Sequence, residues 1–386
     1  MFCTHAKVGV SVVESSGNLR PCCMTNTSQW KNINDNIWNQ YPTIFEVDTL
    51  NDLHKQKPYT NIQSELKSGY FPKTCYRCEI EENVKLESRR QGTNKHFDEN
   101  KLYVENTIQD LEIALDMTCN MMCRMCNPGQ SSKWGAAKNV VKELNKHEMM
   151  VHSDETNTEY RSYQKQMKHV LSNTDLSYAR VIKIEGGEPF YSKNLEWFLD
   201  KLISEVDNDK FTLCIITNGS IYPNERIVSK LKKIHNVTII CSIDAIEELA
   251  ECIRWGVDWE TIDSNICKFK MTDDMFTPEL STNSVISILN FNKLKPLIKY
   301  TSDRNFDNFR VSQLCWPEYL SIYQLPKSVR IKYLTGNKGI DDILSADIKI
   351  KPQLNKTLKH IELLDNYTGH KFKSINKEVM EILNEY

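Results

Sequence analysis

From about Leu102 to Leu320, short apolar runs alternate with amphipathic stretches. Six of the runs read as strands: LEIALD (111–116), RVIKIE (180–185), FTLCIIT (211–217), VTIICSI (237–243), NSVISIL (283–289) and NFRVSQL (308–314). Between most of them apolar residues recur at three- and four-residue spacing. NLEWFLDKLISEV (194–206), NERIVSKLKKI (224–234) and WETIDSNICKF (259–269) are the clearest cases, and each predicts a helix with one buried face. Strands alternating with helices imply parallel strands joined by crossover helices. Six such units fit a partial or full barrel better than a flat sheet.

The flanks differ from this pattern. Residues 1–98 are polar and loop-rich, punctuated by Gly, Pro and Asn, with one alternating run, VGVSVV (8–13), that reads as a strand entering a turn at SSGN. A polar insertion at about 146–176 elaborates the first crossover. From about Pro326 the pattern is helical, as in TLKHIELLDNY (357–367) and NKEVMEILNEY (376–386). The expected organisation is an α/β chain in three parts: a small cysteine-rich module over 1–98, a barrel over 102–320, and C-terminal helices over 321–386.

Composition narrows the class. Of 386 residues, 40% are hydrophobic and 26% charged, ordinary globular usage that affords a sizeable core. The net charge of −2 gives no general attraction to nucleic acid or to an anionic membrane. The basic run KLKKI (230–234) reads as the solvated face of a helix. No apolar run approaches the roughly 18–20 residues of a membrane span. The first residues, MFCTHAKVGV, lack a basic segment followed by a long apolar one. Thirteen cysteines without a leader point to metal binding or buried thiols in a reducing compartment, so the expected location is the cytoplasm.

Three of those cysteines crowd into TCNMMCRMCNPG (118–129), where Cys119, Cys123 and Cys126 have the spacing C-x3-C-x2-C. Structural zinc usually takes four protein ligands, whereas three thiolates on a 4Fe–4S cluster leave one iron open to a small molecule. The next predicted strand ends in Gly186-Gly187-Glu188-Pro189. Glycines there let the backbone approach a ligand, and a carboxylate can meet an ammonium. The following two strands end in Thr217-Asn218-Gly219 and Ser242-Ile243-Asp244. Polar residues gathered at the C-terminal ends of successive strands are what a barrel active site requires.

With these motifs in this order, residues 105–320 resemble the radical SAM superfamily. The resemblance implies a partial (β/α)6 barrel. It also implies a 4Fe–4S cluster on Cys119, Cys123 and Cys126, whose open iron is chelated by the amino and carboxylate groups of S-adenosylmethionine. Met125 stands where the family usually has an aromatic residue near the adenine. Gly186, Gly187 and Glu188 would receive the methionyl ammonium, with Pro189 shaping the turn. Ser242 and Asp244 would lie near the ribose, Thr217 and Asn218 would line the pocket, and Arg254 in ECIRWG would present its fork to the methionyl carboxylate. The implied chemistry is reductive cleavage of the cofactor, fed by an electron donor such as a flavodoxin or ferredoxin, giving a 5′-deoxyadenosyl radical that abstracts hydrogen from a substrate. No catalytic acid or base stands out.

Five cysteines lie nearer the N-terminus. Cys3, Gly17 and Cys22 give C-x13-G-x4-C, and Cys75 with Cys78 gives C-x2-C. By chemistry alone, two such pairs could converge on zinc or on an iron–sulfur cluster. The pattern resembles the SPASM/twitch module, although that module usually follows the barrel and its two-cluster form carries further cysteines. The resemblance implies one auxiliary 4Fe–4S cluster on Cys3, Cys22, Cys75 and Cys78, with zinc as the alternative. Cys22, not its neighbour Cys23, fits the G-x4-C spacing. Cys214, Cys241, Cys252, Cys267 and Cys315 read as buried structural thiols, His5 as an ordinary polar neighbour with a ligand role as the alternative, and SRRQ (88–91) as a basic surface turn with the grip of an anionic group as the alternative. The expected activity is that of an oxidoreductase or peptide-modifying enzyme, leaning to a peptide or protein substrate. A small-molecule dehydrogenase and a non-catalytic iron–sulfur or zinc protein are the alternatives.

Overall fold

The computed structural model describes residues 1–25, 41–100, 104–149, 157–270 and 277–386. Seven strands form one sheet whose order follows the chain: β1 (Gly9–Val12), β2 (Asp110–Ala114), β3 (Val181–Glu185), β4 (Thr212–Thr217), β5 (Asn236–Ser242), β6 (Glu279–Ile286) and β7 (Asn308–Gln313). An order that never reverses is the singly wound topology of a β/α barrel. A doubly wound sheet would reverse at a switch point. The six predicted runs are β2–β7, and VGVSVV adds β1 as an edge strand beside β2.

The described residues divide into two compact units. The first comprises Met1–Met117, Thr158–Ile215 and Asn224–Val237. Within it, parallel pairing aligns Val10, Leu111, Ile182 and Leu213 in one row across β1–β4, all buried. The alternate row is Ser11, Glu112, Lys183 and Cys214. Successive side chains of a strand point to opposite faces, so one face of these strands is aliphatic and the other polar. Helix Leu195–Glu205 buries Leu195, Phe198, Leu199 and Leu202, the spacing that predicted it. The polar insertion becomes helix Asn157–Ser172, with Tyr163 and Met167 buried. Positions 150–156 of that insertion, and the assigned barrel start at 102, lie outside the described residues.

The N-terminal stretch is more helical than its composition suggests. Helices Lys57–Lys67, Tyr76–Asn83 and Arg89–Asn100 follow β1. The first was readable, since Tyr59, Ile62 and Leu66 fall on one face. The third begins inside SRRQ and carries no apolar periodicity, which is why the sequence suggested a surface turn there.

The second unit comprises Thr118–Asn157, Ile216–Pro223 and Thr238–Tyr386. In it β6 starts four residues before the predicted run, because Ser281 and Thr282 are buried hydroxyl residues that give no apolar signal. Helices Leu354–Thr368 and Lys377–Glu385 realise the C-terminal prediction, burying Ile361, Leu364, Val379 and Leu383. Among the described residues no helix is long and apolar enough to cross a membrane.

Candidate functional site

The three-cysteine loop opens the second unit and is pinned at several points. Met121 and Met122 are buried, and Met122–Cys123 pairs antiparallel with Arg254–Trp255, with Cys123 opposite Arg254. The amide of Cys126 closes a turn onto the carbonyl of Cys123 at 3.0 Å. Trp134 Nε1 donates to the same carbonyl at 2.9 Å, and Cys119 N donates to Ser132 Oγ at 3.0 Å.

Donors also face two of the sulfurs. Met121 N lies 3.4 Å from Cys119 Sγ, Asn218 Nδ2 lies 4.0 Å from it, and Arg254 Nη1 lies 3.7 Å from Cys123 Sγ. N–H groups and a guanidinium directed at sulfur favour the thiolate, the form that ligates metal. Burial opposes this, raising Cys123 and holding Cys126 well above the usual thiol range. Cys123 and Cys119 add to the effect on Cys126. Bound cations reverse such a cost. The soft, all-sulfur donor set, partly exposed and supplied with N–H donors, fits an iron–sulfur cluster. Among the described residues, no three His, Cys, Asp or Glu side chains are drawn together tightly enough for a single metal ion.

The strand ends of this unit brace the loop. Arg254 donates from Nε to Asp244 Oδ2 at 2.7 Å, and the other carboxylate oxygen of Asp244 accepts from Val285 N at 2.7 Å. The sequence assigned Arg254 and Asp244 to different parts of a cofactor, whereas the structure joins them in one ion pair beside Cys123. Thr217 Oγ1 accepts from Gly219 N, and Asn218 Oδ1 accepts from Ser220 N. The Asn218 amide reaches Asn120 Oδ1 at 3.0 Å, while Asn120 donates to Ser220 Oγ at 2.9 Å, so the end of β4 is stitched to the loop. Met125 and Ser242 are half-buried.

In the first unit, Gly186 (φ +77°) and Gly187 (φ +54°) turn the chain at the end of β3. A Cβ on Gly186 would stand 2.3 Å from Ala114 Cβ, so only glycine fits. Glu188 is buried, and its carboxylate accepts from Phe190 N at 3.1 Å, capping the short helix Pro189–Tyr191. The residue expected to meet an ammonium thus also shapes its own turn.

The N-terminal cysteines belong to this unit too. Burial raises the thiols of Cys3, Cys75 and Cys78, with Cys22 the neighbouring thiol that acts most strongly on each; Cys3 and Cys78 also act on Cys75. These four therefore form one group. Cys23 faces elsewhere, toward Glu112 and Arg89. If the group holds iron, Cys22→Ser should remove that iron while Cys23→Ser retains it, as iron analysis of the purified variants would show.

Two expectations need correction. SRRQ is no surface turn: Arg89 Nη2 donates to the buried Glu112 carboxylate at 3.1 Å, and Arg90 forks onto Glu82 at 2.6 and 3.0 Å. Cys267 and Cys315 are half-exposed, unlike the buried Cys214, Cys241 and Cys252. His5 is the polar neighbour expected, bonded to Thr93 Oγ1 at 2.8 Å and facing Asp110, with its ring held neutral by burial.

Sequence reasoning missed the polar row itself. Asp110, Glu112, Lys183 and Glu185 share one face of β2 and β3, with Lys183 Nζ 3.0 Å from Asp110. Their alternation with Leu111, Ile113, Ile182 and Ile184 was visible, but such a pattern ordinarily signals a solvated face. Burial, then Glu112, raises Glu185 to about 8, against the opposing pull of Arg89, Lys183 and Arg20. The folded chain therefore retains a proton that the unfolded chain releases above its ordinary pKa of 4.5. Stability from this group is complete below that value and is lost as pH rises toward about 8. In metal-free protein, Glu185→Gln should be more stable than the parent at pH 8, by on the order of 4 kcal/mol, and no more stable at pH 4. Urea titration at the two values measures this.

No protein-family model and no curated sequence matches the chain. Among solved structures, Streptococcus suis SuiB bound to precursor peptide SuiA aligns at 16% identity and TM-score 0.36, over 83% of this chain and 59% of that one. The anSMEcpe structure with bound AdoMet and a Cp18Cys peptide aligns at 16% identity and TM-score 0.37, over 57% of this chain and 55% of that one. The chain thus spans less than two thirds of the length of either, and likenesses this distant carry no functional argument.

Proposed function

We propose that the chain is a radical SAM enzyme that binds a 4Fe–4S cluster through Cys119, Cys123 and Cys126 and S-adenosylmethionine at the open iron. The observation that carries this reading is the loop itself. Three thiols, and not four, sit in one pinned segment, with Arg254 and Asn218 facing two of the sulfurs. The motifs at the ends of β3, β4 and β5 support it by their order. Bound there, cluster and cofactor would supply a 5′-deoxyadenosyl radical for hydrogen abstraction.

The chain's own residues have separate tasks in this reading. Arg254 holds positive charge beside Cys123 and is itself oriented by Asp244. Asn218 and the Met121 amide offset the charge of Cys119. The Gly186-Gly187 turn after β3 is fixed by the close approach of Ala114, and Glu188 caps the short helix that follows it. Residues 102–320 would form the catalytic core, 1–98 the SPASM/twitch-like module holding an auxiliary cluster on Cys3, Cys22, Cys75 and Cys78, and 321–386 a helical extension. A peptide or protein substrate fits that auxiliary module best, and a flavodoxin or ferredoxin would supply the electron.

Anaerobic reconstitution tests the ligand assignment. About eight irons and eight sulfides per chain are expected, falling to about four when Cys75 and Cys78 are both changed to Ala. A chain that takes up no iron on the 119–126 loop would overturn the proposal.

A further inference from the structure

The C-terminal helices reach back to the cysteine loop through one residue. Arg124 lies between Cys123 and Cys126 and is 1% exposed. Its amide bonds to Ile253 O at 2.8 Å, tying the loop to the segment that carries Arg254. Its guanidinium donates to Cys252 O at 2.8 Å and to Asp365 Oδ1 at 2.6 Å, and lies 5.7 Å from the Phe372 ring centre. The carbonyl of Arg124 is held as well, accepting from His360 Nε2 at 2.9 Å. A carbonyl only accepts, so Nε2 carries the ring proton and Nδ1 accepts from Tyr319 OH, 3.1 Å away. His360 and Asp365 both belong to helix Leu354–Thr368. One helix therefore grips both the side chain and the backbone of one loop residue.

We propose that Asp365 and His360 are positioning residues for the three-cysteine loop, acting through Arg124. A buried guanidinium deprived of its carboxylate keeps its desolvation cost with backbone carbonyls alone to offset it, so it turns toward water. Because Arg124 is flanked by Cys123 and Cys126, that movement displaces the sulfurs. The consequence for a cluster rests on the function proposed above, but the ordering of the loop does not.

The test therefore has two arms, both on the full chain. In metal-free protein, Asp365→Ala should speed amide exchange of Arg124 and Cys126 by about tenfold or more, and Asp365→Asn, which keeps an acceptor, should recover most of the protection. In reconstituted protein, Asp365→Ala should lose loop iron to a chelator about tenfold faster or more and show an altered electron paramagnetic signal on adding S-adenosylmethionine, with Asp365→Asn close to the parent. If Asp365→Ala does not fold, His360→Leu, which frees the Arg124 carbonyl and the Tyr319 hydroxyl and leaves the guanidinium paired, replaces it in both arms. Unchanged exchange at Arg124 and Cys126 in a folded variant overturns the inference. A parent chain without loop iron overturns the proposed function, while the exchange arm still decides this one.

Discussion

Changing any one of Cys119, Cys123 or Cys126 to alanine is expected to abolish cleavage of S-adenosylmethionine and to lower bound iron by about four atoms per chain. The loss of turnover should far exceed 100-fold, since removing a mere hydrogen-bond partner of a ligand already costs about 10–100-fold. Folding should survive, because the loop is held by groups other than the sulfurs: Met121 and Met122 are buried, Trp134 bonds the Cys123 carbonyl, and Ser131 Oγ donates to Met121 O at 2.9 Å. Iron analysis, circular dichroism and product assay on the same samples separate a lost cluster from a lost fold. The control is the pair Cys75 and Cys78, which belongs to the other group of thiols. Changing both to alanine should leave the loop cluster and its signal in place.

Gly186→Ala should strongly destabilise the chain's first unit. Its Cβ would sit 2.3 Å from Ala114 Cβ and 3.2 Å from Ala114 Cα, at a backbone φ of +77°. Left-handed backbone costs about 1–2 kcal/mol for a non-glycine residue, and overpacking adds about 1–3 kcal/mol. A loss of about 3–4 kcal/mol in urea titration is therefore expected. Combining it with Ala114→Gly separates the two causes. The double variant should regain the packing share and keep the backbone share, less the cost of a glycine within β2. If Gly186→Ala alone is neutral, the close approach of β2 to the turn after β3 is wrong.

Much of this architecture is written in apolar spacing. β2 to β5 and β7 fall within two residues of the apolar runs that announce them, and β2 to β5 do so because each carries an aliphatic row that must be buried. β6 is displaced where buried hydroxyls replace aliphatics, and helix Arg89–Asn100 leaves no trace because its task is electrostatic: Arg89 faces Glu112 and Arg90 holds Glu82. The cysteine groups are equally legible as spacing. Their supports are not, since Asp365 lies 241 residues from Arg124 and no local pattern marks the pair. Cys22 and Cys23 show the same limit. Spacing prefers Cys22, but only the fold shows Cys23 turned toward Glu112.

The most direct test of the central claim is the product formed from S-adenosylmethionine. The full chain, reconstituted with iron and sulfide under anaerobic conditions and reduced with dithionite, should release 5′-deoxyadenosine and methionine, detected by liquid chromatography and mass spectrometry. The Cys119→Ala, Cys123→Ala and Cys126→Ala variants should release none above background. A parent protein with an intact loop cluster that produces no 5′-deoxyadenosine would contradict the account.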